Sequence, residues 1–210
     1  MVSFFKKAVP NFMEKIFHKK CEFPSDVKQS KEVKILHISD TPECIYPYIY
    51  KVVEKSSADV IIHTGDLVDN IKLEYEPEYY RSKYKKRSAD FISNLEKLTD
   101  ARIIYVPGNH DINSILSDNI NRSEIYKEGS VLEIGGVSIG LAHYSEKLPQ
   151  NAQINLFGHN YDKPFSKNNI YLNGIFNINC ILLPSCQTYT IDYPHLAEKG
   201  RKLNSSFSMI

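Results

Sequence analysis

Gly108-Asn109-His110-Asp111 follows directly on the apolar run Ile103 to Pro107, so an amide oxygen, an imidazole and a carboxylate crowd into one tight turn where a strand ends. In an open α/β sheet that is the edge where ligands and chemistry are presented. The pattern recurs along the chain. Asp40 closes the run Val33 to Ser39, Gly65-Asp66-Leu67-Val68-Asp69 follows Val60 to Thr64, His143 closes Val137 to Ala142, and Gly158-His159 follows Ile154 to Phe157. A single histidine after a strand is more often a satisfied structural residue than a ligand. The ordered set Asp, Asp, Asn, His, His, one at each of successive strand ends, is what points to a metal centre. Its mixture of hard oxygens and imidazole nitrogens suits Mn²⁺, Fe or Zn²⁺, whereas a thiolate set would select softer metals.

Periodicity gives the frame that carries these ends. Strands are predicted near 33–39, 59–64 and 102–106, alternating with helical patterns near 44–55 and 77–98, and this alternation argues for a partly parallel sheet with crossover helices. In the first of these helices Ile45, Ile49, Val52 and Val53 share a face. After residue 130 the chain changes to short strands separated by turn residues, including Gly135-Gly136 and Asn173-Gly174, and reads as a second sheet packed on the first. With 210 residues and 42% hydrophobic content, the chain can bury a substantial core as one α/β domain.

The motifs resemble those of the calcineurin-like metallophosphoesterases, from about Val33 to the region of Ser185. That family's order is Asp-x-His, Gly-Asp-x-x-Asp/Asn, Gly-Asn-His-Asp/Glu, a later His, and Gly-His-x-His. In this chain the stretches read Asp40-Thr41-Pro42, Gly65-Asp66-Leu67-Val68-Asp69, Gly108-Asn109-His110-Asp111, His143, and Gly158-His159-Asn160-Tyr161. The resemblance implies a two-sheet β-sandwich flanked by helices, in four αββα layers. It divides the chain into a basic N-terminal extension, 1–31, and a metallophosphoesterase domain, 32–210.

The same resemblance implies two bridged metals. One would be held by Asp66, Asn109, His143 and His159, all present. The other would take Asp40 and the shared Asp66 together with imidazoles at positions 42 and 161, where this chain has Pro42 and Tyr161. One tight divalent site and one weak site are therefore expected, because two carboxylates hold only a labile, largely hydrated ion. By resemblance, His110 protonates the leaving alkoxide or steers phosphate, and Asp111 orients its imidazole. The alternative local reading has His110 capping a helix that starts near Asp111 and Asn113.

The implied activity is metal-dependent hydrolysis of a phosphoric ester through metal-bound hydroxide, on a phosphorylated small molecule or a phosphodiester. Pro42 and Tyr161 keep two other readings open: a catalytically idle scaffold, and a module that binds phosphate through one retained metal. The formal net charge of +1 supplies no strong signal for nucleic acid. The four cysteines show neither zinc spacing nor a disulfide framework, which fits a reducing cytoplasm.

Residues 1–20 form a basic amphipathic pattern, five lysines against Glu14, broken at Pro10. Such a face offers contact with an anionic membrane surface or a partner, though more often it packs on its own domain. The run Arg81, Lys83, Lys85, Lys86, Arg87 reads as a solvated helix face, or as a recruiter of anionic substrate if the helix overhangs the site.

Overall fold

The computed structural model describes residues 22–73, 77–160 and 169–201. The basic segment 1–20 and Tyr161 lie outside them. After a short α1 (Ser25–Gln29), strands β1 (Val33–Ile38) and β2 (Val60–His63) are joined by a 3-10 turn at Glu43–Ile45 and α2 (Tyr46–Ser56). Helix α3 (Pro77–Leu98) then leads to β3 (Arg102–Tyr105), and α4 (Asn113–Asn119) to the two-residue β4 (Glu124–Ile125). All four strands pair in parallel, with Ile38 opposite His63 and His63 opposite Tyr105. The C-terminal ends of β1, β2 and β3 therefore open along one edge.

A Gly135-Gly136 turn joins β5 (Ser130–Ile134) to β6 (Val137–Leu141) as an antiparallel hairpin, and β7 (Ile154–Phe157) and β8 (Ile170–Asn173) add to it in parallel. The ends of β6 and β7 thus also lie side by side. The chain closes with β9 (Asn177–Leu183), β10 (Gln187–Asp192) and α5 (His195–Arg201).

This is the expected α/β class, two sheets flanked by helices, with one difference in strand assignment. The strands after Asn173-Gly174 do not extend the second sheet. β9 inserts beside β1 and β10 beside β9, both antiparallel, giving the order β10-β9-β1-β2-β3-β4. The residue pattern of β9 explains it: Ile178, Cys180 and Leu182 enter the core under the helices, while Ile181 and Leu183 enter the core between the sheets. A strand apolar on both faces belongs inside a sheet covered on both sides.

The helix-side core joins Tyr48, Ile49 and Val52 of α2 with Tyr84, Phe91 and Leu95 of α3, over Leu36, Ile38, Ile61 and Ile103. The opposite face of the same sheet, through Ile35, Ile62 and Ile104, meets Leu132, Ile139 and Leu156 of the second sheet. These two cores hold the strand ends rigidly enough to position ligands.

A carboxylate fixes α3 to the loop before β4. Glu96 accepts hydrogen bonds from the Ser123 hydroxyl at 2.7 Å and from the backbone N–H groups of Asn121, Arg122 and Ser123 at 3.0 to 3.1 Å. Burial works against its charge, but the donors from Ser123, Asn121 and Arg122 outweigh burial and hold the carboxyl down at about 2. A depressed carboxylate stabilises the fold above its unfolded pKa, near 4.5, and that stabilisation is lost as pH falls toward about 2. Circular dichroism melts across this window should show Glu96→Gln less stable than the parent at neutral pH and the difference shrinking with acid. A gap that stays constant from pH 5 to about 2 would contradict the assignment.

Candidate metal centre

Four side chains from four strand ends converge on one point. His143 Nε2 lies 3.1 Å from Asn109 Oδ1, 3.2 Å from His159 Nδ1 and 3.6 Å from Asp66 Oδ2. The ligand atoms of Asp66, His143 and His159 all fall within 4.8 Å of one another. His143 Nδ1 is 2.6 Å from the Thr64 carbonyl, so that nitrogen donates there and Nε2 faces the cluster. This backing interaction typically orients a metal-bound imidazole. Burial opposes a charge on His143, but the Asp66 carboxylate beside it, with Asp40 and the Thr64 carbonyl, more than offsets this and pushes the imidazole up to about 10. The pocket favours positive charge, and two imidazoles, one carboxylate and one amide oxygen fit a divalent ion of the Mn²⁺, Fe or Zn²⁺ kind.

The backbone at these positions is itself unusual. Among the described residues, five other than glycine have positive φ, and three of them are Asp40 (52°), Asp66 (57°) and His159 (66°). Left-handed backbone at such residues costs on the order of 1–3 kcal/mol each and persists where the surrounding structure over-determines it. The turns also leave no room for larger residues. A Cβ on Gly108 would lie 2.3 Å from Asp66 Oδ1 and 2.8 Å from Asp66 N, so the third motif must pass the second as bare backbone.

Asp40 stands slightly apart. Its Oδ2 accepts from the Ser39 hydroxyl at 2.6 Å and from His159 N at 3.1 Å, so it holds the loop that carries His159. Its charge reaches His143 and Asp69, yet it joins neither of the two groups of donor atoms that converge within 4.8 Å among the described residues. Pro42, the next position of that motif, is buried against the last helix: a Cβ on Gly200 would lie 2.6 Å from Pro42 Cβ.

The third motif divides its labour differently from the expectation. Asp111 accepts from the backbone N–H groups of Asp66 (2.7 Å), Gly108 (2.9 Å) and Leu67 (3.1 Å), and from the Tyr84 hydroxyl at 2.9 Å. With its oxygens engaged in these four bonds, it ties two ligand loops to α3 and does not orient the His110 ring. Burial, then the neighbouring Asp66 charge, raises its carboxyl to about 6. The ring of His110 instead meets Asn109, whose Nδ2 lies 3.1 Å from Nε2, and its backbone N–H donates to Asp66 Oδ1 at 3.0 Å. His110 does not cap the following helix, since the N-cap of α4 is Ile112, without a side-chain cap bond.

Several supporting residues carry no motif signal. Buried His37 and His63 form polar struts beneath the loops. Asn179 Nδ2 donates to His37 Nδ1 at 3.1 Å, and His37 Nε2 donates to the Thr64 hydroxyl at 2.9 Å. Gly65 N donates to His63 Nδ1 at 3.2 Å, leaving His63 Nε2 to donate to Thr41 Oγ1 at 2.9 Å. Burial lowers both imidazoles to about 3, so both are neutral. Arg201 on α5 donates to the Asp40 and Ile175 carbonyls at 2.7 and 2.6 Å. In sequence, His37 and His63 looked like interior residues of apolar strands. A polar residue in an otherwise apolar strand that points toward a ligand loop was the available signal.

The chain matches the calcineurin-like phosphoesterase family over residues 33–200. It belongs to that family. Membership supports a metal-dependent phosphoester hydrolase in general terms, and the converging donors agree with the divalent metal that the family implies. No curated protein sequence matches the chain. One solved structure aligns over 77% of this chain and 99% of its own at TM-score 0.54 and 12% identity, a likeness of fold alone. YfcE, a phosphoesterase from E. coli, aligns over 76% of this chain and 99% of its own at 15% identity and TM-score 0.49. The nuclease MPE of Pseudomonas putida aligns over 75% and 87% at 12% identity and TM-score 0.37. Among the described residues no helix is long and apolar enough to cross a membrane.

Proposed function

We propose that this chain hydrolyses a phosphoric ester at a centre built on one tightly held divalent ion, with Asp66, Asn109, His143 and His159 as its ligands. The observation that carries the reading is the convergence of those four side chains around His143 Nε2. A bound ion there would supply Lewis acidity and lower the pKa of a coordinated water from 15.7 toward about 7. The protein's own groups do the rest. Thr64 fixes the His143 tautomer, Asp40 seats the His159 loop, and Asp111 with Tyr84 keeps the second and third motifs in register. His110, 6% exposed and beside Asn109, is in this reading the group that gives a proton to the departing alkoxide.

Substrates in this reading are phosphorylated small molecules or phosphodiesters, with Mn²⁺ as the first ion to try, and the cysteine spacing favours a cytoplasmic setting. The test is metal analysis after dialysis, followed by aryl phosphate monoesters and diesters with added Mn²⁺. One retained ion per chain and Mn²⁺-dependent turnover are expected. A protein that retains no ion would overturn the reading. The packing of Pro42 against α5 favours a second reading, phosphate binding without turnover. In that case the loaded protein would bind inorganic phosphate and leave every ester intact.

A further inference from the structure

Asp66 belongs to a second convergence. Its carboxylate, that of Asp69 and the His110 ring offer ligand atoms within 4.8 Å of one another, and all three residues are buried. The family pattern asks for another ion beside Asp40 and Asp66, yet with both of its imidazoles missing and an ammonium close by, the residues present do not fit one. Pro42 offers no donor and packs on α5, and position 161 is a tyrosine. What the chain supplies instead is an ammonium group: Lys72 Nζ pairs with Asp69 Oδ1, with the lysine side chain 21% exposed and the carboxylate 3%.

We propose that Lys72, paired with Asp69, stands in for the second divalent cation of this centre, so that the protein works with one metal ion and one fixed ammonium. The proposal rests on the four-donor reading above and says what balances the remaining charge.

The turn is built to deliver that ammonium. Ile71 N donates to Val68 O at 2.8 Å and Leu73 N to Ile71 O at 3.2 Å, while Ile71 and Leu73 are buried on either side of Lys72. Asp69 is anchored too, its N–H donating to the Thr41 carbonyl at 3.1 Å and so joining the second motif to the first. The need for a cation is electrostatic. Asp40, Asp66 and Asp69 are each 2% exposed, and Asp69 is the one of the three that is paired with Lys72. Buried carboxylates are tolerated only when a cation or a proton answers them. A lysine satisfies the charge yet offers no coordination position, so a second ion would compete with it for Asp69.

The experiment is a Mn²⁺ titration of the full chain and of Lys72→Met and Lys72→Arg, with free ion counted by room-temperature electron paramagnetic resonance. Low-temperature spectra then report any spin-coupled Mn²⁺ pair. The parent and K72R should each hold one ion without a coupled spectrum. K72M should take a second, about tenfold or more tighter than the parent does, with a coupled spectrum, because a neighbouring unit charge has been removed. Lys72→Gln carries the same test if K72M loses its fold by circular dichroism. One ion in every variant overturns the role of Lys72 and leaves the four-donor centre standing, as does a parent that already binds two ions as tightly as K72M. A parent that binds none overturns the centre and this proposal together.

Discussion

Asp66→Asn is expected to empty the metal centre and abolish phosphoester hydrolysis while leaving the fold in place. The change removes one charge and little else: asparagine matches aspartate in size and tolerates the left-handed backbone that Asp66 adopts at φ 57°. What is lost is the anion that sits 3.6 Å from His143 Nε2 and belongs to both groups of converging donors. Burial alone would make that carboxylate hard to ionise, but the charge and hydrogen bond of His143 keep it well below the usual carboxylate range. Loss of a residue that merely supports a ligand typically lowers metal affinity by roughly 10- to 100-fold. Loss of Asp66 should exceed that, so that no ion survives dialysis and no added Mn²⁺ restores turnover. Thermal melts of the ion-free parent and of D66N serve as the control for folding. A D66N protein that keeps its ion would remove Asp66 from the ligand set.

The sequence displayed the four converging side chains because the proposed metal chemistry asks for particular residue types at particular strand ends. Asp66, Asn109, His143 and His159 come from motifs that are short, local and ordered. Their convergence follows from parallel pairing of β1, β2 and β3 on one side and of β6 and β7 on the other. Alternating strand and helix patterns were enough to place the elements, since their periods differ. The residues that hold the ligands were much less legible. Asp111 reads as part of a catalytic motif, yet it spends its carboxylate on three backbone N–H groups and the hydroxyl of Tyr84, 27 residues upstream. Tyr84 itself sits inside the basic run from Arg81 to Arg87, where nothing in the sequence separates an inward tyrosine from its exposed lysine neighbours. The return of β9 to the first sheet was hidden for a related reason. A short apolar strand carries no record of its partner, and only burial on both faces reveals that it lies between β1 and β10.

His110→Ala should leave the metal in place and slow turnover by roughly 10²- to 10⁴-fold, the range for a positioned acid or base. Its ring is buried beside the ligands, Nε2 being 3.1 Å from Asn109 Nδ2, yet it stays outside the four donors around His143 Nε2. That position separates two roles that the motif alone leaves merged. If His110 were a ligand, its loss would lower metal content together with rate. If it serves as the acid, metal content and His143 surroundings persist, and the defect depends on the leaving group. Esters of acidic phenols, which leave without a proton, should be hydrolysed almost as fast by H110A as by the parent, whereas alkyl esters should show the full loss. Asp111→Asn gives the contrasting signature, because its carboxylate binds the loops that carry Asp66 and Gly108. Stability and metal content should fall together in that variant, with no dependence on the leaving group. An equal loss on aryl and alkyl esters in H110A, at unchanged metal content, would reassign His110 from proton donor to an electrostatic support for the phosphoryl group.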